Sequence, residues 1–262
     1  MSRDLQREIW SAAADTRKGI MVRYLVPMWT GVLDAAGAKT GTKLLDAGCG
    51  TGELSAIALE RGSVVTGIDN ATRMIELCRA DPKLAAATFF EGTIESLPFE
   101  SATFDAAVAS MSVHFCDDVP RALGELFRVL APGGRVVISA PAHADLDVLV
   151  VFALALEHVP PEMADDIRRP LLFTSDGSLA TALTTAGFGD IDEQVIDTPL
   201  VGNTFDEIWE AQKTWAPVQL AASFVGEEAF LEEYQQRLNA RLGDPAPTRL
   251  DMKFRVARAI KR

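Results

Sequence analysis

Hydrophobic and polar residues follow two rhythms along this chain, and the rhythm changes near Pro141. Before that proline, short apolar runs alternate with longer segments in which apolar residues recur every three or four positions. The short runs predict buried strands and the periodic segments predict helices. The predicted strands span residues 42–47, 63–68, 88–90, 104–110 and 135–139, and the helices between them span residues 53–61, 72–80 and 119–130. This alternation predicts an α/β fold, with a parallel sheet covered by helices on both faces.

The segments outside this alternation are predicted to be mostly helical. Residues 3–36 carry apolar residues at helical spacing, and Pro27 is predicted to break this region in two. The chain after Pro141 is predicted to form helices over 145–185 and 205–242 and strands over 190–198 and 252–260. Basic residues at alternate spacing are predicted to form the solvent face of the last strand; they are Lys253, Arg255, Arg258, Lys261 and Arg262.

Charge and cysteine content limit which classes of partner and which cellular compartment we expect for this protein. The 262 residues include 25 basic and 37 acidic side chains, so the net charge is −12. An acidic protein repels phosphate backbones, and we therefore expect no nucleic-acid partner. Three widely spaced cysteines fit neither a disulfide framework nor a zinc site, which predicts reduced thiols in a cytoplasmic protein. The N-terminus lacks a signal-peptide pattern and the longest apolar run, residues 148–156, is too short for a bilayer, so we expect no membrane association.

The first predicted strand ends in the sequence D-A-G-C-G-T-G at residues 46–52. A strand that turns sharply into a helix at glycines brings backbone N–H groups close to a ligand. A dinucleotide site needs a glycine three residues after the second one, but that position holds Glu53, whose carboxylate would repel a pyrophosphate. The Gly-Lys-Ser/Thr sequence of a phosphate-binding P-loop is absent as well.

Two acidic residues indicate which ligand would suit these glycines. Asp46 lies just before them, where a carboxylate would attract a positive amino group or a sulfonium. Asp69 ends the second strand, and its spacing from Gly50 is close to the roughly 20 residues expected of a ribose-binding acid in a doubly wound nucleotide fold. The predicted ligand carries a ribose, a cationic amino-acid-like arm and no pyrophosphate.

Residues 44–52 resemble the first motif of class I S-adenosylmethionine-dependent methyltransferases. The resemblance covers residues 40–140 and continues in residues 67–69, 91–99, 104–105, 110–114 and 126–134. This set resembles the branch named for ubiquinone and menaquinone biosynthesis, which contains many small-molecule methyltransferases. The resemblance implies a doubly wound, mainly parallel, seven-stranded Rossmann-like sheet with an antiparallel last strand and helical cap segments.

The same resemblance implies which residues bind S-adenosyl-L-methionine. The glycines would line the methionine arm near Asp46, and Asp69 would hold the ribose. The adenine would lie against residues that follow the second and third strands, and the methionine end would face the end of the fourth. The implied cofactor-binding residues are Asp46, Gly48, Cys49, Gly50, Asp69, Asn70, Met74, Thr93, Ile94 and Ser110. Many relatives carry aspartate at the position of Thr93, so we expect the adenine contact to depend more on the backbone at Ile94.

Two histidines are the candidate catalytic residues. His114 follows the fourth strand and His143 follows the fifth, at the edge where ligands bind in such sheets. His114 could be a general base, a donor that orients the substrate or a surface histidine, and His143 is the second candidate base. A sulfonium is already activated, so a base is needed only if the acceptor loses a proton during the reaction. We expect no metal, because the acidic pair Asp117 and Asp118 fits the start of the next helix better than a metal site.

The predicted activity is methyl transfer from S-adenosylmethionine to a small, fairly apolar molecule, such as a natural product or a quinone-like acceptor. One alternative is an enzyme of the same fold that binds this cofactor but catalyses a cyclisation or rearrangement. Another is a non-catalytic regulatory subunit. Residues 1–262 are predicted to form one methyltransferase domain, either as a monomer or as a homodimer. Its predicted parts are a helical lid over 1–36, a cofactor-binding core over 37–143, and cap segments over 144–189 and 203–247.

Overall fold

The strands predicted before Pro141 form the parallel part of a seven-stranded sheet. The computed structural model describes residue 7 and residues 10–15, 22–143, 145–244 and 246–262. The strands are β1 (Lys43–Ala47), β2 (Val64–Asp69), β3 (Thr88–Glu91), β4 (Phe104–Ser110), β5 (Leu130–Pro141), β6 (Phe188–Asp197), β7 (Leu200–Val201), β8 (Arg249–Leu250) and β9 (Lys253–Lys261). The long sheet has the order β3-β2-β1-β4-β5-β9-β6, and β7 pairs with β8 in a separate two-stranded sheet.

Ten helices surround this sheet in the described ranges. They are α1 (Val22–Ala36), α2 (Glu53–Glu60), α3 (Thr72–Ala80), α4 (Val119–Val129), α5 (Val150–His158), α6 (Pro161–Arg168), α7 (Ser178–Thr185), α8 (Phe205–Gln212), α9 (Ala216–Val225) and α10 (Glu227–Leu242). Residues 10–15 are also helical, and the rest of the helix predicted over residues 3–36 falls partly outside the described residues. No helix in the described ranges combines the length and apolarity that a bilayer crossing requires.

The strand order places a topological switch point beside β1. This strand pairs in parallel with β2 on one side and with β4 on the other. The chain therefore continues from β1 to β2 on one side of β1 and later returns to form β4 on the opposite side. This reversal of strand order opens a crevice at the carboxyl ends of the strands. The fold expectation is confirmed in full, because β9 lies antiparallel between β5 and β6.

Alternate residues of the central strands face two separate cores. In β4, Ala106 and Val108 pack into the core that includes α1, α5 and α8 to α10, whereas Ala107 and Ala109 pack into the core beneath α4 and α7. A strand whose two faces are both covered must be apolar throughout. This explains why the strands of the first half appear in the sequence as continuous apolar runs.

Three expectations about local structure are wrong. Pro27 lies inside α1 and does not break it. A proline inside a helix costs about 3 kcal/mol, and the burial of neighbours such as Met28 and Trp29 offsets that cost. Residues 131–134, which fall outside the strand predicted over residues 135–139, lie within β5 and form an irregularity opposite β4. Arg255 does not face solvent: it is 6% exposed and pairs with Glu193 and Asp176.

Candidate functional site

The glycines after β1 all have positive φ angles, but their surroundings differ. The angles are +78° at Gly48, +54° at Gly50 and +87° at Gly52, a region that residues with a Cβ atom rarely adopt. A Cβ atom at Gly48 would collide with Ser112, and one at Gly52 would come within 2.5 Å of Leu84. A Cβ atom at Gly50 would meet nothing within 4 Å. Two of these glycines permit close packing, and Gly50 faces open space.

Asp69 joins the end of β2 to the glycine turn. Its Oδ2 atom accepts a hydrogen bond of 2.9 Å from the Gly50 N–H. Its Oδ1 atom accepts one of 2.9 Å from the Ala71 N–H, just before α3 begins. These two bonds hold the carboxylate at the carboxyl edge of the sheet, beside the switch point.

Asp46 is a buried carboxylate beneath the same turn. Its side chain is in contact with Ser55, whose hydroxyl donates a hydrogen bond of 2.7 Å to Oδ2. Burial raises the pKa of Asp46 to about 7, the Ser55 hydrogen bond opposes this rise, and the nearby Asp69 and Glu53 carboxylates add to it. A positive group placed beside Asp46 would favour its ionised form, because it would replace the stabilisation that water no longer supplies.

Three cavities open around these residues. The main cavity has a volume of about 360 Å³ and lies along the carboxyl ends of β1, β2 and β4. The inner cavity, of about 60 Å³, lies between the glycine turn and α1. The apolar cavity, of about 80 Å³, lies between the end of β5, α5 and the start of α9.

The structure brings all ten predicted cofactor-binding residues to these cavities. All of them except Asp46 and Cys49 line the main cavity. Asp46 and Cys49 line the inner cavity, where Gly48, Gly50 and Ser110 also contribute. A hydrogen bond with Cys78, together with burial, raises the pKa of the Cys49 thiol, which keeps it protonated and unreactive. The roles of these residues in binding stay predictions.

One buried acid in the main cavity was missed from the sequence. Glu95 lies two residues after Thr93, and its Oε2 atom accepts a hydrogen bond of 2.7 Å from the Thr93 hydroxyl. Its Oε1 atom accepts one of 2.8 Å from the Asp118 N–H, at the start of α4. The motif at residues 91–99 contained this acid, but only the fold reveals that it is buried against the cavity.

The apolar cavity is lined by aliphatic side chains, prolines and aromatic rings from distant parts of the chain. Phe152 of α5 stacks with Trp215 at a centroid separation of 5.3 Å. Trp10 meets Phe115 edge-on at 5.1 Å, and these two rings also line the main cavity. Phe254 of β9 contributes a further ring. The two larger cavities are therefore neighbours with different chemistry.

Residues 45–138, which contain the glycine turn, β2 and β4, match the family described as a methyltransferase domain. This part of the chain is a class I S-adenosylmethionine-dependent methyltransferase domain. The methyltransferase resemblance drawn from the sequence is confirmed for this part of the chain, and S-adenosylmethionine is the cofactor of this domain.

Two of the curated relatives that match part of this chain are methyltransferases. A malonyl-[acyl-carrier protein] O-methyltransferase from Serratia marcescens is 40% identical over 118 residues, which are 45% of this chain and 46% of that protein. A demethylmenaquinone methyltransferase from Thermus thermophilus is 38% identical over 110 residues, which are 40% of this chain and 50% of that protein. The matched part of the chain thus spans about half the length of these relatives.

Similarity in structure extends beyond the methyltransferase domain. The crystal structure of the YcgJ protein from Bacillus subtilis superposes with a TM-score of 0.61 at 20% sequence identity. The superposition covers 89% of this chain and 97% of that one. At this level of identity the likeness concerns the fold alone, and it supports the seven-stranded arrangement.

Neither candidate catalytic histidine, His114 or His143, lines any of the three cavities. His114 is completely buried, and neither ring nitrogen has a hydrogen-bond partner. Burial, with a smaller effect from Arg169, lowers the pKa of His114 to about 3, so the ring is neutral. His143 is exposed. The geometry therefore gives the general-base predictions no support, although no observation tests them directly.

Arg169 donates hydrogen bonds to the segment of the main-cavity wall that contains Phe115. Its Nη1 atom donates hydrogen bonds of 3.3 Å to the Phe115 carbonyl and 2.5 Å to the Cys116 carbonyl. Its Nη2 atom donates one of 2.8 Å to the Asp117 carboxylate. The segment after α6 is thereby tied to the main cavity.

Asp118, the other member of the acidic pair Asp117 and Asp118, caps α4 by accepting from the Arg121 N–H, as the sequence predicted.

Proposed function

We propose that this chain transfers a methyl group from S-adenosylmethionine to a small, fairly apolar acceptor, and that the ten residues named above bind the cofactor. The observation that carries the proposal is that the main cavity and the apolar cavity lie side by side at the switch point of the sheet and share lining residues. A cofactor bound at the glycine turn would lie in the first, and an apolar acceptor would suit the second.

The residues around the glycine turn fit this cofactor. Gly50 leaves open space in the main cavity, and Asp69 is held beside it. Each carboxylate oxygen accepts more than one hydrogen bond, so Asp69 can bind ribose hydroxyls while it holds the turn. Asp46 lines the inner cavity, where a cationic group of the cofactor would lower its raised pKa and pair with the resulting carboxylate. Thr93 and Ile94 suit the adenine, with Asn70 and Met74 beside them.

The chain's own contribution to catalysis is alignment and exclusion of water. S-adenosylmethionine supplies an activated methyl group on a sulfonium. The aromatic walls of the apolar cavity hold the acceptor, and Phe115 and Trp10 face both of the larger cavities. Positioning of two reactants in a dry site removes much of the entropic barrier of a bimolecular transfer.

The segments around the core complete the proposed enzyme. We propose that the described part of residues 1–36, which includes Trp10, acts as a lid, that residues 37–143 bind the cofactor, and that the described parts of residues 144–189 and 203–247 act as caps over the acceptor. The net charge of −12 supports a small-molecule acceptor over a nucleic acid. We further propose a cytoplasmic enzyme that acts as a monomer or homodimer, without membrane association.

A calorimetric titration with S-adenosylmethionine and S-adenosylhomocysteine tests the cofactor site. We expect both to bind with roughly micromolar dissociation constants, which correspond to about −8 kcal/mol. Because the relatives' names refer to malonyl-[acyl-carrier protein] and to demethylmenaquinone, an acceptor screen should include malonyl compounds, hydroquinones and simple phenols.

The products of the screen separate the candidate activities. S-adenosylhomocysteine that forms only when an acceptor is present supports methyl transfer. An altered acceptor without S-adenosylhomocysteine would indicate a cyclisation or rearrangement instead. Failure of the wild-type protein to bind either cofactor form would contradict the proposal and favour a regulatory subunit.

A further inference from the structure

Met111 lies where the three cavities meet. Among the described residues, it alone lines the main, inner and apolar cavities. It directly follows β4, at the switch point of the sheet. Its side chain is half-buried, as expected of a wall between open spaces. A change at this position therefore alters the boundary that separates the cavities.

The backbone of Met111 has an uncommon conformation that its neighbours hold in place. Its φ angle is +54°, in the left-handed region that residues other than glycine rarely adopt. The Met111 N–H donates a hydrogen bond of 3.2 Å to the Ser139 carbonyl of β5. The Ser112 hydroxyl donates one of 2.7 Å to the Ala47 carbonyl of β1. Strain of this kind persists only where the surroundings over-determine it, and it is concentrated at functional sites.

We propose that Met111 is a specificity-determining residue, because its side chain forms the partition between the cofactor space and the apolar cavity. This rests on the proposed function. A methionine suits such a position, since its flexible and polarisable thioether fills irregular space. The partition sets how far a bulky acceptor extends toward the reacting methyl group, so the size of residue 111 limits the size of the acceptor.

Two methionine-to-alanine variants test this role against a matched control. Met111→Ala removes the partition. Met252→Ala removes the same atoms from a buried residue that lines the apolar cavity but neither of the others. The affinity for S-adenosylhomocysteine is measured by calorimetry, alone and with saturating phenol or 1-naphthol. The two probes differ in size but carry the same hydroxyl group.

The expected result is competition that appears in one variant only. In Met111→Ala, 1-naphthol extends across the missing partition and weakens S-adenosylhomocysteine binding by about fivefold or more, whereas phenol does not. In the wild type and in Met252→Ala, neither probe weakens it. Met111→Leu conserves the side-chain volume and should behave as the wild type does. If Met111→Ala fails to fold, Met111→Gly tolerates the same φ angle and carries the same expectation.

Two outcomes would overturn different conclusions. If every protein binds S-adenosylhomocysteine and 1-naphthol has the same effect, or none, in Met111→Ala and Met252→Ala, the partition role is wrong. If the wild type does not bind S-adenosylhomocysteine at all, the proposed cofactor site is wrong instead.

Discussion

The main cavity and the apolar cavity are built in different ways, although they share a boundary at Met111. Most residues of the main cavity lie within about five positions of a strand end, and they include carboxylates such as Asp69. The apolar cavity is formed by aliphatic and aromatic side chains that are far apart in the chain, such as Trp10, Phe152 and Phe254. Polar recognition here depends on local chain geometry, whereas apolar recognition depends on long-range packing. Substitutions on the polar side should therefore have the larger effects on cofactor binding.

The largest effect is expected from Gly50→Val. Its side chain would enter the main cavity at a φ angle that suits glycine, so S-adenosylmethionine affinity should fall by more than about 100-fold. Calorimetry measures the affinity, and thermal unfolding checks that the protein folds. Gly133→Val is the matched control, because Gly133 also has a positive φ angle and open space but lies in β5 away from the cavities. Wild-type affinity in Gly50→Val would remove this turn from the cofactor site.

The second-largest loss of cofactor affinity is expected from Asp69→Ala. This substitution removes the proposed ribose acceptor and also leaves the Gly50 and Ala71 N–H groups without the carboxylate. Cofactor affinity should fall by about 1–3 kcal/mol in calorimetry. Asp69→Asn keeps one acceptor oxygen, so its loss should be intermediate. An unchanged dissociation constant in Asp69→Ala would show that Asp69 only holds the turn.

The third effect concerns the free energy of unfolding of Asp46→Asn and how it depends on pH. The folded protein keeps a proton on Asp46 up to about pH 7, whereas an ordinary aspartate releases it near 3.8. Asp46 therefore makes the free energy of unfolding fall as pH rises across this range, and the loss is complete above it. Asn cannot ionise, so at pH 8 the variant should be more stable than the wild type by a few kcal/mol.

Chemical denaturation of both proteins between pH 4 and pH 8 measures this difference. The gain should shrink toward pH 4, and cofactor affinity should fall at pH 8 because a neutral amide replaces the carboxylate. A gain that does not change with pH would contradict the raised pKa.

The smallest effect on turnover is expected from His114→Leu. The ring lies outside the three cavities, so the rate of methyl transfer should stay within about twofold. The pKa of His114 is about 3 in the folded protein and 6.5 ordinarily, so this histidine costs stability as pH falls below 6.5. Leucine removes that cost, and the variant should be the more stable at pH 5.

Steady-state turnover and denaturation at pH 5 and pH 8 check the two effects of His114→Leu. His143→Leu is the control, because that histidine is exposed and should change neither quantity. A tenfold loss of turnover in His114→Leu alone would restore the general-base prediction.

The sequence by itself determined the parallel half of the sheet and the placement of its polar residues. The bounds of α3 and β4 agree with the sequence prediction, because apolar period and turn residues are local signals. Gly50 and Asp69 meet because parallel strands bring their carboxyl ends to one edge, so their spacing was sufficient to predict their proximity.

Only the tertiary structure decided how the distant segments pack. Pro27 stays in a helix because burial of its neighbours outweighs a local penalty. Arg255 is buried because Glu193 and Asp176 reach it from other elements, and no local pattern records such partners. The apolar cavity, the burial of His114 and the place of Met111 between three cavities likewise follow from contacts between residues far apart in the chain. Hydrophobic packing is non-directional, so the sequence marks which residues are apolar but not which of them surround the same space.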